Sequence, residues 1–115
     1  MARTDIEVQP MSRSGNGLTP IYEAVDQLNG MAFLNTGREF VHCKNLNAAP
    51  RNLTALTPGS VDALAVADLV ATIPADNGDK MIGPFPPSVY NQSDGKVYLD
   101  FSAGADMTIA VIRMP

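Results

Sequence analysis

Residues 81–101, Met81-Ile82-Gly83-Pro84-Phe85-Pro86-Pro87-Ser88-Val89-Tyr90-Asn91-Gln92-Ser93-Asp94-Gly95-Lys96-Val97-Tyr98-Leu99-Asp100-Phe101, decide the fold. Three prolines within four positions fix φ near −65° and remove backbone donors, so neither a helix nor a central strand can run through residues 84–87. Residues 93–95 then form a turn in which Gly95 adopts positive φ without steric cost. After the turn, apolar and polar residues alternate up to Phe101. The stretch predicts a strand, a stiff corner, a tight turn and a half-buried strand.

The same pattern of short apolar runs between turn signals continues along the chain. About seven strands are predicted, at residues 31–34, 39–44, 52–57, 67–73, 80–82, 97–101 and 107–114. Turn signals every 8–12 residues are typical of antiparallel sandwiches and barrels. We therefore predict an all-β fold, an antiparallel β-sandwich of jelly-roll or Ig-like type formed by residues 29–115. Its predicted core residues are Phe40, Leu53, Leu69, Ile82, Leu99, Phe101, Ile109 and Val111.

Two segments are less regular than these strands. Residues 61–73 are ambiguous, because positions 61, 64, 65 and 68 have helical spacing whereas residues 67–73 alternate. We predict a loop with one helical turn through Leu64, followed by a strand that ends at Ile73. Residues 1–28 predict an extended N-terminal arm, because Ile6 and Val8 alternate with polar neighbours and residues 12–17 are small and polar. Thr19 precedes a proline and is therefore pushed away from the helical region. The alternative is a terminus that packs on its own domain.

The composition limits the classes of partner. The chain has 115 residues, enough for one domain, and only 17% of them are charged. Eight Lys and Arg against 12 Asp and Glu give a net charge of −4, with no basic run. Binding to nucleic acid through phosphate contacts is therefore not expected. Neither a signal peptide nor an apolar run of membrane-spanning length is seen, so we expect a chain that is soluble when made, without a membrane partner.

The residues that invite a chemical interpretation do not form an active site. The single cysteine, Cys43, excludes an intrachain disulfide framework. His42 and Cys43 resemble a nucleophile and its base, but adjacent residues of a strand point to opposite faces, so a buried structural cysteine is predicted. We therefore expect no enzyme activity, no catalytic residue, no cofactor and no metal site.

The carboxylates are numerous, which raises Ca²⁺ binding or acid–base chemistry as an alternative. The aspartates considered are Asp62, Asp68, Asp76, Asp79, Asp94, Asp100 and Asp106. Most of them lie beside Gly or Asn in turns, where the side chain bonds its own backbone. Asp68 and Asp100 lie within predicted strands, where a charge either faces solvent or protects an edge.

Three stretches carry a resemblance to known proteins: residues 61–68, residues 82–91 with the sequence IGPFPPSVYN, and residues 96–101 with the sequence KVYLDF. In these the chain resembles small virion proteins of tailed bacteriophages and prophages, encoded near the major capsid protein. The resemblance covers residues 29–115. Among such proteins it is most similar to a capsid decoration, or cement, protein, and the family supplies no catalytic residues.

The resemblance implies a protein made in the cytoplasm of the bacterial host that binds the capsid exterior in the virion. Its expected partners are the major capsid protein and, in a trimer, further copies of itself. The candidate contact residues are Ile21, Tyr22, Phe85, Val89 and Tyr90. For Phe85 and Tyr90 the alternative is that they cover the open end of the chain's own core.

Three other functions stay open from the sequence. A head-tail connector or tail component would form a ring instead of coating a shell. A small carbohydrate-binding module would use Tyr90 and Tyr98, and a small hydrolase has the least support because no catalytic motif is present.

Overall fold

A computed structural model of the chain describes residues 3–15, 17–58, 60–61, 64–65 and 67–114. In chain order its elements are β1 (Thr4–Asp5), β2 (Val8–Pro10), β3 (Glu23–Ala24), β4 (Met31–Leu34), β5 (Glu39–Asn45), β6 (Arg51–Ala55), β7 (Ser60–Val61), β8 (Leu64–Ala65), β9 (Leu69–Ile73), β10 (Gly78–Ile82), α1 (Pro87–Tyr90), β11 (Lys96–Phe101) and β12 (Met107–Arg113). Within these ranges no helix is long and apolar enough to cross a membrane. Asn16 and Asp62, which enter the sequence predictions, lie outside the described residues.

Two mixed sheets contain all of the longer strands. Sheet A has the order β1-β4-β11-β6-β9, and sheet B has the order β10-β5-β12-β2, with β3 also paired to β12. The seven longer strands pair antiparallel within their sheets, as predicted, whereas β1 on β4 and β2 on β12 are parallel. The prediction of an all-β sandwich is confirmed.

One hydrophobic core lies between the two sheets. It combines inward side chains of β4, β6, β9 and β11 in sheet A with those of β5 and β12 in sheet B. The predicted core residues that are buried are Leu53, Leu99, Phe101, Ile109 and Val111. Ile82 is half-buried and packs against this core. The other two predictions are wrong, since Phe40 is half-buried outside the core and Leu69 lies exposed on the edge strand β9.

Strand β5 shows why the core prediction failed at Phe40. Val41 and Cys43 point into the core, so Phe40 and His42 point to the opposite face of sheet B. Both faces of this strand carry apolar side chains, and alternation alone does not say which face is inward. The sequence prediction chose the wrong face for Phe40.

The segment between β6 and β9 also corrects a prediction. Leu64 lies in β8, which pairs antiparallel with β7 in a small two-stranded sheet. The predicted helical turn through Leu64 is therefore wrong. Short apolar segments are compatible with either spacing, and here the neighbouring strand supplies the backbone hydrogen bonds.

The proline corner, residues 83–87, leads from β10 into a single helical turn, α1, which starts at Pro87. Gly83 has φ +135°, and a Cβ atom there would lie 3.0 Å from Cα of Phe40. Only glycine allows the corner to lie this close to β5. Gly95 has φ +79°, as predicted for the turn before β11.

The N-terminal residues complete both sheets. β1 extends sheet A beside β4, whereas β2 and β3 both pair with β12 in sheet B. Ile6, between β1 and β2, and Val25, after β3, enter the core. Through these strands and the two core residues, the described residues between 3 and 28 pack on the sandwich.

Glu39 is a fully buried carboxylate at the start of β5. It accepts hydrogen bonds from Arg113 Nε at 2.5 Å, from the Thr36 backbone N–H at 2.7 Å and from the Thr36 hydroxyl at 2.9 Å. Burial alone would raise the pKa of Glu39, but these hydrogen bonds outweigh it and hold the pKa below its ordinary value of 4.5. The charged form is therefore stabilised in the fold.

Because the unfolded chain binds this proton more readily, stability from Glu39 is fully present above about pH 4.5 and is lost as pH falls through the lowered pKa. We expect Glu39→Gln to lower the free energy of unfolding by about 1–3 kcal/mol at pH 7, and by progressively less on acidification. Urea unfolding at several pH values measures this. Parallel pH profiles of the two proteins would contradict it.

Leu53 and Leu34 allow the same substitution to be compared in the core and on the surface, because Leu53 is 0% exposed and Leu34 is 52% exposed. We expect Leu53→Ala to lower the free energy of unfolding by about 2–5 kcal/mol, because it leaves a cavity between the sheets. Leu34→Ala should cost roughly 0.5 kcal/mol or less. Urea unfolding at pH 7 compares the two, and equal losses would show that the inward faces are wrongly assigned.

Candidate functional site

The outer face of sheet B, opposite the core, is apolar at its centre. Phe40 and His42 of β5 and Ala110 and Ile112 of β12 lie on this face, and Met81 of β10 is paired with His42. Ala110 and Ile112 are buried although they do not face the core. Something outside the two sheets must therefore cover this face.

The cover is the strap, which we define as residues 11–15 and 17–22. The backbone N–H of Met11 donates a 2.7 Å hydrogen bond to the Arg113 carbonyl. At the other end, the Gln9 amide donates to the Ile21 carbonyl at 2.7 Å and accepts from the Ile21 N–H at 2.8 Å. One side chain thus imitates a pair of β-sheet hydrogen bonds and fixes the strap to β2.

Tyr22 joins the strap to the sheet through His42. The Tyr22 hydroxyl lies 2.6 Å from His42 Nδ1, and His42 Nε2 bonds the Asp79 carboxylate on β10. The Tyr22 and His42 rings pack edge to face with centroids 5.3 Å apart. Lys44 Nζ lies 4.3 Å from the centroid of the Tyr22 ring. The polar atoms of His42 and Tyr22 are therefore satisfied by one another and by Asp79.

A cavity of about 450 Å³ lies between the strap and the sheet. Its floor is formed by Phe40, His42, Met81 and Ile112. Its roof is formed by strap residues: Met11, Ser12, Gly17, Leu18, Pro20 and Tyr22. The surface offered to a bound molecule is therefore mainly hydrocarbon and thioether.

A second, shallower hollow of about 240 Å³ adjoins this cavity at the proline corner. We call it the corner hollow, and its lining residues are Phe40, Met81, Ile82, Gly83, Pro84 and Met114. Phe40 and Met81 line both spaces. Three methionines around them are exposed, Met11 to 37%, Met81 to 65% and Met114 to 48%. Flexible, polarisable methionine side chains adapt to varied partners.

The five predicted contact residues lie in two separate places. Ile21 and Tyr22 belong to the strap, where Ile21 is 75% exposed and Tyr22 lines the cavity. Phe85 is fully buried, with its ring 5.8 Å from Phe33 and 5.3 Å from Tyr90 between centroids. Val89 and Tyr90 are half-buried in α1. Phe85 covers the core and is not a surface residue of this chain.

Cys43 lies on the opposite face of β5 from His42, as predicted, and is fully buried. Burial, with a smaller effect from the Asp79 charge, raises the pKa of its thiol to about 12. A thiol held in its protonated form is a poor nucleophile. The predicted structural role of Cys43 agrees with this environment.

Most of the aspartates in the part of the chain that the structure describes bind another side chain or a backbone N–H. Asp68 accepts hydrogen bonds from the backbone and hydroxyl of Thr57, and Asp100 lies 2.6 Å from Arg3 in an ion pair. Asp94 accepts from the Lys96 N–H and the Tyr98 hydroxyl. In the part of the chain that the structure describes, no group of three or more His, Cys, Asp or Glu is placed to hold a metal ion.

The two tyrosines of the carbohydrate alternative have other contacts. The Arg3 guanidinium lies over the Tyr98 ring, 4.6 Å from its centroid. Tyr90 packs edge to face on Phe85. A sugar that stacked on both rings would have to displace Arg3 from one of them.

Comparison with protein-family models, with curated proteins and with solved structures finds no significant match to this chain. The resemblance to phage virion proteins therefore stays a prediction.

The hydrogen bond from Tyr22 to His42 can be removed without changing the size of the ring. We expect Tyr22→Phe to weaken the strap by about 1 kcal/mol and to speed trypsin cleavage after the exposed Arg13 by a factor of about 5–10. Tyr98→Phe, which removes a hydroxyl bonded to Asp94 on sheet A, is the matched control and should leave this cleavage unchanged. Equal cleavage rates in the two variants would show that Tyr22 does not hold the strap.

Proposed function

We propose that the protein is a structural component of a tailed-phage virion that binds the outer surface of the capsid and stabilises it. In this proposal it is made in the cytoplasm of the bacterial host, associates as a trimer, and contacts the major capsid protein. It acts by binding and not by catalysis. The resemblance at residues 61–68, 82–91 and 96–101 suggests the class of protein, and the corner hollow supplies the contact surface.

The observation that carries the proposal is the apolar character of the corner hollow. Met81 and Met114 are exposed at its border, and Phe40, Ile82 and Pro84 lie between them. Contiguous exposed apolar surface on a small domain marks an interaction site more often than isolated apolar residues do. The hollow is shallow and open, which suits an apolar side chain of a protein partner.

The corner is also ordered before any partner binds. Phe85, inside the corner, is anchored in the core, and its carbonyl accepts a 2.9 Å hydrogen bond from the Asn35 amide. That amide also donates to Asn91, at the end of α1, at 2.7 Å. A contact surface held in place in this way loses little conformational entropy on binding. The buried Phe85 side chain therefore holds its neighbours Gly83 and Pro84 in place at the corner hollow.

We expect Met114→Asp to weaken binding to expanded shells of the cognate major capsid protein at least tenfold, because about 1.4 kcal/mol of apolar contact corresponds to a factor of ten. Leu46→Asp is the control, since Leu46 is exposed in the turn after β5 and does not line the corner hollow. Co-sedimentation with shells measures both variants. Failure of the unmodified protein to bind shells would overturn the decoration role, and equal binding by both variants would overturn the corner hollow as its surface.

The number of copies per virion separates decoration from the connector alternative. A decoration protein should approach the abundance of the capsid protein in a stained gel of purified virions. A connector or tail component should be present only in the small number that forms a ring. The second result would contradict the proposal.

A further inference from the structure

We propose that the cavity beneath the strap is a binding site for a neutral, mainly apolar small molecule. The inference does not depend on the capsid role, since it rests on the chemistry of the cavity alone. A ligand-binding function of this kind goes beyond a structural task.

The cavity beneath the strap has room for a small molecule. It is partly open to solvent, and its volume of about 450 Å³ falls within the range of about 300–1,000 Å³ typical of small-molecule sites. Three polar attachments, at Met11, Ile21 and Tyr22, hold the strap in place above it. The roof is therefore supported without side chains that fill the space.

The lining of the cavity is mainly apolar. Met11, Leu18 and Pro20 above and Phe40, Met81 and Ile112 below present carbon and sulfur atoms. A molecule that buries hydrocarbon against such a surface gains roughly 25 cal/mol for each Å² of apolar area removed from water. The floor and roof thus select an apolar ligand.

The described residues that line the cavity include no Lys, Arg, Asp or Glu, so an ion that entered it would lose water without gaining a charged partner. Asp79 and Lys44 lie outside the lining, Asp79 bonded to His42 and Lys44 over the Tyr22 ring. His42 has both ring nitrogens bonded, to Tyr22 and to Asp79, so neither is left to pair with a charged ligand.

A pair of dyes tests size, polarity and charge together. N-phenyl-1-naphthylamine is neutral, apolar and carries one N–H, and 8-anilino-1-naphthalenesulfonate is the same skeleton with an added sulfonate. In fluorescence titrations we expect the neutral dye to saturate at one molecule per chain and the anionic dye to bind at least tenfold more weakly. Absence of saturable binding of the neutral dye, or equal affinity for both dyes, would overturn the proposal.

Substitution of a roof residue locates the site. Leu18→Trp fills the cavity and should weaken binding of the neutral dye at least tenfold. Leu28→Trp, an identical change at an exposed residue outside the cavity, should not. Circular dichroism and urea unfolding show whether both variants fold. Equal dye binding by the two folded variants would place the dye elsewhere and overturn the assignment.

A measurement on the unmodified protein keeps the test decisive even where a variant does not fold. With methionine labelled at its ¹³C methyl group, the neutral dye should shift the signals of Met11 and Met81 and leave those of the core residues Met31 and Met107 in place. Shifts confined to other methionines would contradict the site.

Failure of this proposal is distinguishable from failure of the capsid role. Met114→Asp changes the corner hollow and not the cavity, so it should keep its affinity for the neutral dye while it loses binding to shells. A protein that binds shells but no dye would retain the capsid role without the ligand site.

Discussion

The burial of β12 on both faces is the constraint on which the rest of the structure depends. Ile109 and Val111 point into the core, whereas Ala110 and Ile112 point outward and are buried as well. Antiparallel sheets commonly leave one face to solvent, with polar side chains on it. Here the outward side chains at positions 110 and 112 of the central strand of sheet B are apolar, so the chain must supply a layer outside its own sandwich. The strap is that layer, and the cavity exists because the strap covers the sheet without filling the space above it.

The N-terminal residues cover the outer face of sheet B, and they also pair with the edges of both sheets. A strand at the edge of a sheet presents unpaired backbone groups that invite aggregation. β1 extends sheet A, β2 extends sheet B, and Ile6 between them enters the core. The Arg3 side chain further binds the Leu99 carbonyl at 3.1 Å and Asp100 at 2.6 Å. The same segment then continues into the strap, so edge pairing and outer cover come from one continuous stretch of chain.

Much of the sandwich was predictable from local sequence, and the candidate site was not. The seven longer strands follow from alternation and turn residues, which depend on neighbours a few positions apart. The face of β5 that holds Phe40, the pairing of β1 and β2, and the meeting of Tyr22 with His42 and Asp79 all depend on contacts between distant residues. One signal of the site was present in the sequence, because the apolar residues of β12 alternate onto both of its faces. This pattern predicts that another segment covers the outer face, but it does not show which segment.

The proline corner and the strap are linked through β5, although they are distant in the sequence. Gly83 approaches so closely that a Cβ atom would lie 3.0 Å from Cα and Cβ of Phe40, and the Phe40 side chain lines both the corner hollow and the cavity. Met81 is likewise shared. The two spaces therefore share one stretch of wall, formed by adjacent strands of sheet B. The three prolines make the corner rigid, and this rigidity fixes the end of β10 against Phe40.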